Sequence, residues 1–567
     1  MNEEEKRKIT SNDFIDLLIE YSGDQRLLAE YGNETINVID DRFAVVYLPA
    51  ERTSERLLTE VGYSVIPKLY GLLDTAHLEA VGINRLQATP TLNLRGQGVL
   101  LGFIDTGIEY TNPIFKHADN TTRIVSIWDQ TIENLQAGED LFYYGTEYTK
   151  DMINEALQND NPLSVVPSTD TNGHGTMLAG LAGGSQIPES DFTGIASQAE
   201  FVVVKLKPAK QNLKDYLLVP NDTLCYQGND FMFGIRYLVN VARRLGKPIA
   251  ICVGLGTNQG AHDGNISTSI FLSDLANRAG IAILVAAGNE GNTGHHYFGV
   301  VDRVTGYDTV ELRVGENEKN FTMEIWGQVP GTYSIDVTSP SGEHIPRIPA
   351  RLGEHRDIRF LFEGTRLLID YLIIESQTGD QLIFLRFNQP APGIWRFRVY
   401  GGGDISSGFH IWLPMRGFIT EETTFMNPNP DTVITTPGNG NNVITVTAYN
   451  HKDQSIYQNA SRGYSRANQV KPDVAAPGVE VYVPLPGNQF GYQSGTSIAA
   501  ALATGVSGLL LEWGIVNDRQ GNMDGVNIRK FLYRGVNQKS NLVYPNNEWG
   551  YGSIDIYKTF ESFRGEQ

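Results

Sequence analysis

Three short stretches, far apart in the chain, each set one reactive polar group beside glycine. Asp105 opens Asp105-Thr106-Gly107, His174 sits in Asn172-Gly173-His174-Gly175-Thr176, and Ser497 closes Gly495-Thr496-Ser497. A serine hydroxyl is a poor nucleophile until a base takes its proton. Histidine is the base that titrates near neutrality, and a carboxylate fixes its tautomer and stabilises the imidazolium. A fourth stretch, Ala286-Ala287-Gly288-Asn289-Glu290-Gly291, offers the Asn289 amide as a donor to an oxyanion, with the Ser497 backbone N–H as the second donor. Alone, an Asp-Thr-Gly is a turn and a single histidine is structural. The joint pattern, in the order Asp, His, Ser, points to nucleophilic acyl transfer.

The elements that must hold these groups are legible nearby. Val99–Ile104, Phe201–Leu206, Ile249–Val253 and Ile281–Ala286 are continuous apolar runs, the pattern of strands buried on both faces of a parallel sheet. Helical patterns at Gly228–Leu245 and Thr268–Ala279 alternate with them, and the sequence from Ile498 to Leu511 is a helix of small and aliphatic residues. This predicts an α/β domain with a mostly parallel sheet, split into 96–297 and 429–567. Between the halves, 298–428 reads as an inserted all-β sandwich. Short alternating runs such as Val310, Leu312, Val314 and Trp395, Phe397, Val399 are broken by Gly, Pro, Asn and Asp. Residues 1–90 read as a separate α+β unit. There Asp13–Ala29 has helical spacing, Phe43–Leu48 is a strand, Thr53–Val61 and Thr75–Val81 are helices, and Ser64–Tyr70 with Pro67 suits an edge strand.

Composition limits the functions open to such a chain. It has 567 residues, 41% hydrophobic, with a net charge of −20. That charge argues against general binding to nucleic acid or to anionic membrane, which need basic patches. Cys225 and Cys252 are its only cysteines, so no disulfide framework is present. The Glu- and Lys-rich N-terminus lacks the apolar segment of a secretory signal, which implies synthesis in the cytoplasm. The Ile498–Leu511 run is too short, and too rich in Gly, Ser and Thr, for a membrane span. His295 and His296 are read as a solvated or loop pair rather than metal ligands, since no carboxylate cluster accompanies them. No metal or cofactor is expected; the sequence leaves calcium open.

The four motifs together resemble those of the subtilisin-like serine proteases. Lys471-Pro472-Asp473-Val474-Ala475-Ala476-Pro477-Gly478 and Trp549-Gly550-Tyr551-Gly552 extend the similarity. Met177, Ile498 and Ala501 depart from residues common in that family, but none of them carries the proton transfer. The resemblance implies that Asp105, His174 and Ser497 form the triad, that Asn289 serves the oxyanion, and that Leu255 and Gly256 line the substrate cleft. It also implies that 1–90 is a prodomain that aids folding and stays bound, non-covalently, as an inhibitor. Within the family, the layout is similar to the clostridial spore germination proteases, the Csp family. That similarity rests on the missing signal, on Tyr70-Gly71-Leu72-Leu73-Asp74-Thr75-Ala76-His77-Leu78-Glu79-Ala80-Val81-Gly82-Ile83 as a prodomain end, and on an insertion like that family's jelly roll. It implies a spore-associated protease that removes its own prodomain, between Asn84 and Thr91 near Gln87, and processes a cortex-lytic enzyme precursor. Two rivals stand beside this reading. One is a general intracellular subtilase. The other is a scaffold or signalling protein whose protease cleft is blocked.

Overall fold

The computed structural model describes residues 3–32, 34–52, 56–72, 93–133, 144–187, 192–402 and 408–563. At its centre is an eight-stranded sheet in the order Val474–Pro477, Ile444–Tyr449, Ile281–Ala286, Ile249–Val253, Leu100–Asp105, Glu200–Lys205, Ile124–Asp129, Thr146–Thr149. All neighbours are parallel except the last pair. The apolar runs become strands here because both faces of the sheet are covered by helices. Leu101, Phe103, Cys252 and Leu284 pack in one core with the helices His174–Gly183 and Thr496–Leu511. Their strand neighbours Leu100, Ile104, Ile251 and Ile283 pack in the opposite core with Gly228–Leu245 and Ser267–Ala276.

All sixteen residues of Thr496–Leu511 are buried. Small residues permit this close packing: a β-carbon on Gly505 would stand 2.5 Å from the carbonyl oxygen of Ala182. The apolar helix is longer than the sequence suggests. It continues through a wider turn over Glu512–Val516, making a 21-residue segment long and apolar enough to cross a membrane. In this fold it is a core helix, with 89% of its apolar window buried.

The inserted region forms two antiparallel sheets. One has six strands, running from His296–Val300 at one edge to His355–Arg359 at the other, and the second has five. Their inner faces share a core that includes Trp395, Phe387, Phe397 and Phe409.

The N-terminal unit is a three-stranded antiparallel sheet with Phe43–Pro49 between Phe14–Glu20 and Thr35–Val38. The helix expected over Asp13–Ala29 is instead the strand Phe14–Glu20 followed by a short helix, Gln25–Ala29. Five consecutive residues of that strand are buried, and a short apolar run buried on both sides carries no periodicity that separates strand from helix. The helix expected at Thr53–Val61 is present over Leu57–Val61. Pro67 precedes the strand it was expected to join. That strand, Leu69–Leu72, is central rather than at an edge, lying between Leu255–Gly256 and Tyr226–Gln227. The helix expected at Thr75–Val81, and the cut expected between Asn84 and Thr91, lie outside the described residues.

Candidate active site

Asp105 is the last residue of a central strand, at the carboxyl edge of the parallel sheet, where open α/β sheets bind ligands. His174 is the first residue of one buried helix and Ser497 the second residue of another. Asp105 Oδ1 lies 2.8 Å from His174 Nδ1, and His174 Nε2 lies 3.2 Å from Ser497 Oγ. All three are buried. A carboxylate can only accept, so Nδ1 carries the hydrogen and Nε2 turns its lone pair to the serine. The Thr106 N–H also donates to Asp105 Oδ1, at 2.8 Å.

Local sequence sets the histidine. Asp170 accepts from Gly173 N–H, Thr176 N–H and the Thr176 hydroxyl at 2.8, 2.9 and 2.7 Å, which caps the helix that begins at His174. Gly173 has φ 90°, a left-handed conformation suited to glycine. A β-carbon on Gly175 would stand 2.2 Å from Gly107 O, so the aspartate and histidine loops meet backbone to backbone. Thr106 Oγ1 accepts from Gly175 N–H at 3.0 Å across the same junction.

Asn289 follows the strand Ile281–Ala286, and its Oδ1 accepts from both the Thr496 N–H and the Thr496 hydroxyl at 3.2 Å. The Thr496 hydroxyl in turn accepts from Gly288 N–H at 3.1 Å. An amide N–H can only donate, so the atom facing it must be Oδ1, and the NH₂ of Asn289 remains as the donor edge. The first-turn amides of a helix point out of it, and Ser497 N–H belongs to that turn.

Sequence reasoning missed Thr496 and Asp170 as positioning groups, and it missed Gly254. A β-carbon on Gly254 would be 2.6 Å from Leu178 Cδ1, 3.1 Å from His174 Cε1 and 3.3 Å from Ser497 Cβ. A glycine directly after the apolar strand Ile249–Val253 was the signal available.

His295 and His296 are not exposed to solvent: both are buried, and a carboxylate accompanies the first. Glu290 Oε2 accepts from His295 Nδ1 and Asn258 Nδ2, both at 3.1 Å, while Oε1 accepts from Arg416 N–H at 3.1 Å. Burial pushes the Glu290 carboxyl up, but these bonds outweigh it and hold the group below its usual range. His296 stacks on Trp412 and meets His410. Among the described residues, no three His, Cys, Asp or Glu side chains are grouped to hold a metal ion.

Leu255 and Gly256 form a short strand paired antiparallel with Leu72 and Gly71 of the N-terminal unit. The same N-terminal segment pairs on its other side with Tyr226–Gln227. Leu69 N–H also donates to Gln259 Oε1 at 3.0 Å. An extended piece of the chain thus lies along the residues expected to hold substrate, and it runs toward Gly254, beside Ser497.

The sequence profile described as the Subtilase family matches residues 96–311 and 418–552. The unmatched 312–417 falls within the inserted sheets. The solved structure of the Clostridium perfringens CspB protease superposes with a TM-score of 0.76 at 28% identity, covering 86% of this chain and 97% of that one. The C5a peptidase of Streptococcus pyogenes serotype M6 is 23% identical over 451 residues, 73% of this chain. The match covers 34% of that peptidase, so the chain spans about a third of the length of this curated relative. The chain belongs to the subtilase family. It is a subtilisin-like serine protease similar to CspB, with an α/β core interrupted by antiparallel β-sheets.

Proposed function

We propose that this subtilase is an active serine endopeptidase in which Ser497 attacks the scissile carbonyl. His174 takes the hydroxyl proton and returns it to the leaving amine. Asp105 holds the imidazole in the tautomer this requires and stabilises the imidazolium. The Asn289 NH₂ and the Ser497 N–H receive the oxyanion. The hydrogen-bonded line Asp105–His174–Ser497 carries this reading.

The first substrate is the chain itself. Antiparallel pairing sets Leu72 opposite Leu255, with the chain heading toward Gly254 and Ser497. This register supports a cut close to Leu73, well before Gln87. The N-terminal unit then stays as a bound inhibitor, since its strand Leu69–Leu72 covers the cleft. The β insertion clamps it there: Ser64 Oγ meets Ser376 Oγ at 2.8 Å, and the Tyr63 ring packs on Trp326 at 5.4 Å. The likeness to CspB supports a role in spore germination, with a cortex-lytic enzyme precursor as the substrate in trans.

Intact-mass spectrometry of the purified chain beside Ser497→Ala tests this. Two fragments in the wild type, one uncut chain in Ser497→Ala and a new terminus near Leu73 are expected. A Ser497→Ala chain that is still cut would overturn self-processing. The occupied cleft also suits a second reading, a protease-fold scaffold held shut. Under that reading a fluorophosphonate probe would leave Ser497 of the mature protein unlabelled.

A further inference from the structure

An open cavity of about 640 Å³ lies at the opposite edge of the central sheet from the triad. Asp105 ends its strand at the carboxyl edge. Gln97 and Gly98, just before that strand, and Ser197 and Gln198, just before Glu200–Lys205, line the cavity at the amino edge. Its size is that of a small-molecule site, about 300–1,000 Å³.

The lining is basic, although the chain as a whole carries a net charge of −20. Lys116, His117 and Arg123 face Glu200, the only carboxylate that lines the cavity among the described residues. That carboxylate is already taken: Lys150 donates to Oε1 at 2.9 Å and Lys247 to Oε2. Arg123 is buried, yet its guanidinium meets neutral oxygens. Nε donates to Ala199 O at 3.0 Å and Nη1 to Ser185 Oγ at 2.9 Å. The half-buried Lys116 ammonium has no hydrogen-bond or ion-pair partner among the described residues. Burial pushes its pKa down and no opposing charge raises it back. Burial also pushes His117 down, followed by Lys150 and Arg123, against Asp119 and Glu200.

A partly buried charge without a partner costs free energy that a bound counter-charge offsets. Bonds from ionised donors to oxyanions are about twice as strong as neutral ones. A phosphate monoester carries about −1.5 to −2 at neutral pH, which suits three basic groups better than the single charge of a carboxylate. The amide and hydroxyl side chains Asn120, Gln186, Ser197 and Gln198 make up much of the remaining lining. They can bond a polar body, for which a cavity this large has room beyond the phosphate. Ser185, two residues past the helix His174–Gly183, also lines the cavity and donates through Oγ to Lys116 O at 2.8 Å.

We infer that this cavity binds a phosphate monoester of a polar, sugar-sized alcohol, with Lys116 and His117 on the phosphate. The site shares no residue with the triad, so it stands or falls apart from the protease reading.

The test uses the full-length Ser497→Ala chain, so that no cut intervenes. Titration calorimetry is run with glucose 6-phosphate, inorganic phosphate, glucose and acetate. Glucose 6-phosphate is expected to bind, inorganic phosphate about tenfold more weakly, and glucose and acetate not at all. Lys116→Gln should weaken glucose 6-phosphate about tenfold. The His117 imidazole, assigned in NMR spectra with His117→Gln, should rise in pKa when glucose 6-phosphate is bound, because an anion favours the imidazolium. A merely structural role for Lys116 would not couple its loss to a smaller rise at His117. Failure of both phosphates to bind, binding indifferent to Lys116→Gln, or an unmoved His117 would overturn the site. Equal binding of inorganic phosphate and glucose 6-phosphate would overturn the sugar-sized body. Acetate bound as tightly as inorganic phosphate would overturn the assignment to phosphate.

Discussion

Glu324 of the β insertion accepts a 2.6 Å hydrogen bond through Oε1 from the hydroxyl of Tyr63 in the N-terminal unit. Its Oε2 accepts from Gly260 N–H at 3.0 Å and from Trp326 Nε1–H at 2.9 Å. Gly260 follows the short strand Leu255–Gly256 by four residues. One buried carboxylate thus joins the insertion, the N-terminal unit and the loop that follows the strand Leu255–Gly256. Burial raises the Glu324 pKa against the hydrogen bonds that lower it, so the group depends on those donors.

Tyr63→Phe removes one donor and leaves part of this buried carboxylate unsatisfied. The expected cost is about 1–3 kcal/mol, read by urea unfolding in a Ser497→Ala background so that no cut intervenes. An unchanged midpoint would show that the contact contributes nothing.

The oxyanion donor is expected to depend on Thr496. Its hydroxyl bridges Gly288 N–H and Asn289 Oδ1 and so turns the asparagine NH₂ outward. Asn289→Ala should slow self-cleavage by about 10²–10³, a magnitude carried over from the equivalent donor in subtilisin. Thr496→Val keeps the donor but loosens it, so a smaller loss of about tenfold in the first-order rate of self-cleavage is expected. A Thr496→Val chain processed at the wild-type rate would exclude this positioning role.

Acid should weaken the fold at the junction between insertion and core. His296 Nδ1 faces the carbonyl of Asn429 at 3.2 Å and therefore donates, so its Nε2 accepts from His410 Nδ1 at 2.9 Å. Protonating His296 would set two N–H groups face to face. Burial holds His296 down at about 3 and His410 well below its ordinary value, with His262 and Arg466 adding to the effect on His410. Both histidines are neutral when folded and titrate near 6.5 when unfolded, so the unfolded chain binds more protons as pH falls. Their contribution is complete above about pH 6.5 and is lost on acidification, by about 2 kcal/mol between pH 6.5 and 5.5 for the pair. Urea unfolding of Ser497→Ala at several pH values measures the slope, and His410→Phe should reduce it. Equal slopes in the two chains would count against this origin.

What was legible in the sequence was what repeats or what chemistry demands. Ile249–Val253 and Ile281–Ala286 were delimited to the residue, because each is an apolar run buried on both faces with a glycine within two residues of its end. Asp105, His174, Ser497 and Asn289 were singled out by type and glycine context, and the fold gathers them at one edge of the sheet. The N-terminal strand Phe14–Glu20 was hidden because Asp16, in the middle of an apolar run, imitates the polar face of a helix. Its real reason is a partner nearly two hundred residues away, Lys210, which no local pattern reveals. Glu290 beside His295 escaped although only five residues separate them, since the loop between them turns back and buries both.

On the proposed self-processing, that distant pair is expected to set how long the N-terminal unit stays after the cut. Lys210 Nζ donates to Asp16 Oδ1 at 2.5 Å and also to the carbonyls of Lys8 and Phe14 at 3.0 and 3.2 Å. Asp16 Oδ2 accepts from Asn229 Nδ2 at 2.8 Å and Gln227 Nε2 at 3.2 Å. Both ions are buried, so removing one partner leaves an uncompensated charge and costs about 3–5 kcal/mol, whereas replacing both with apolar residues costs far less. Lys210→Met should therefore release the cut N-terminal unit, seen as a separate peak in size-exclusion chromatography and as faster labelling of Ser497 by a fluorophosphonate. Asp16→Leu combined with Lys210→Met should restore most of the retention. If Lys210→Met held its N-terminal unit as tightly as the wild type, the hold would lie in the strand pairing along Leu255–Gly256 instead.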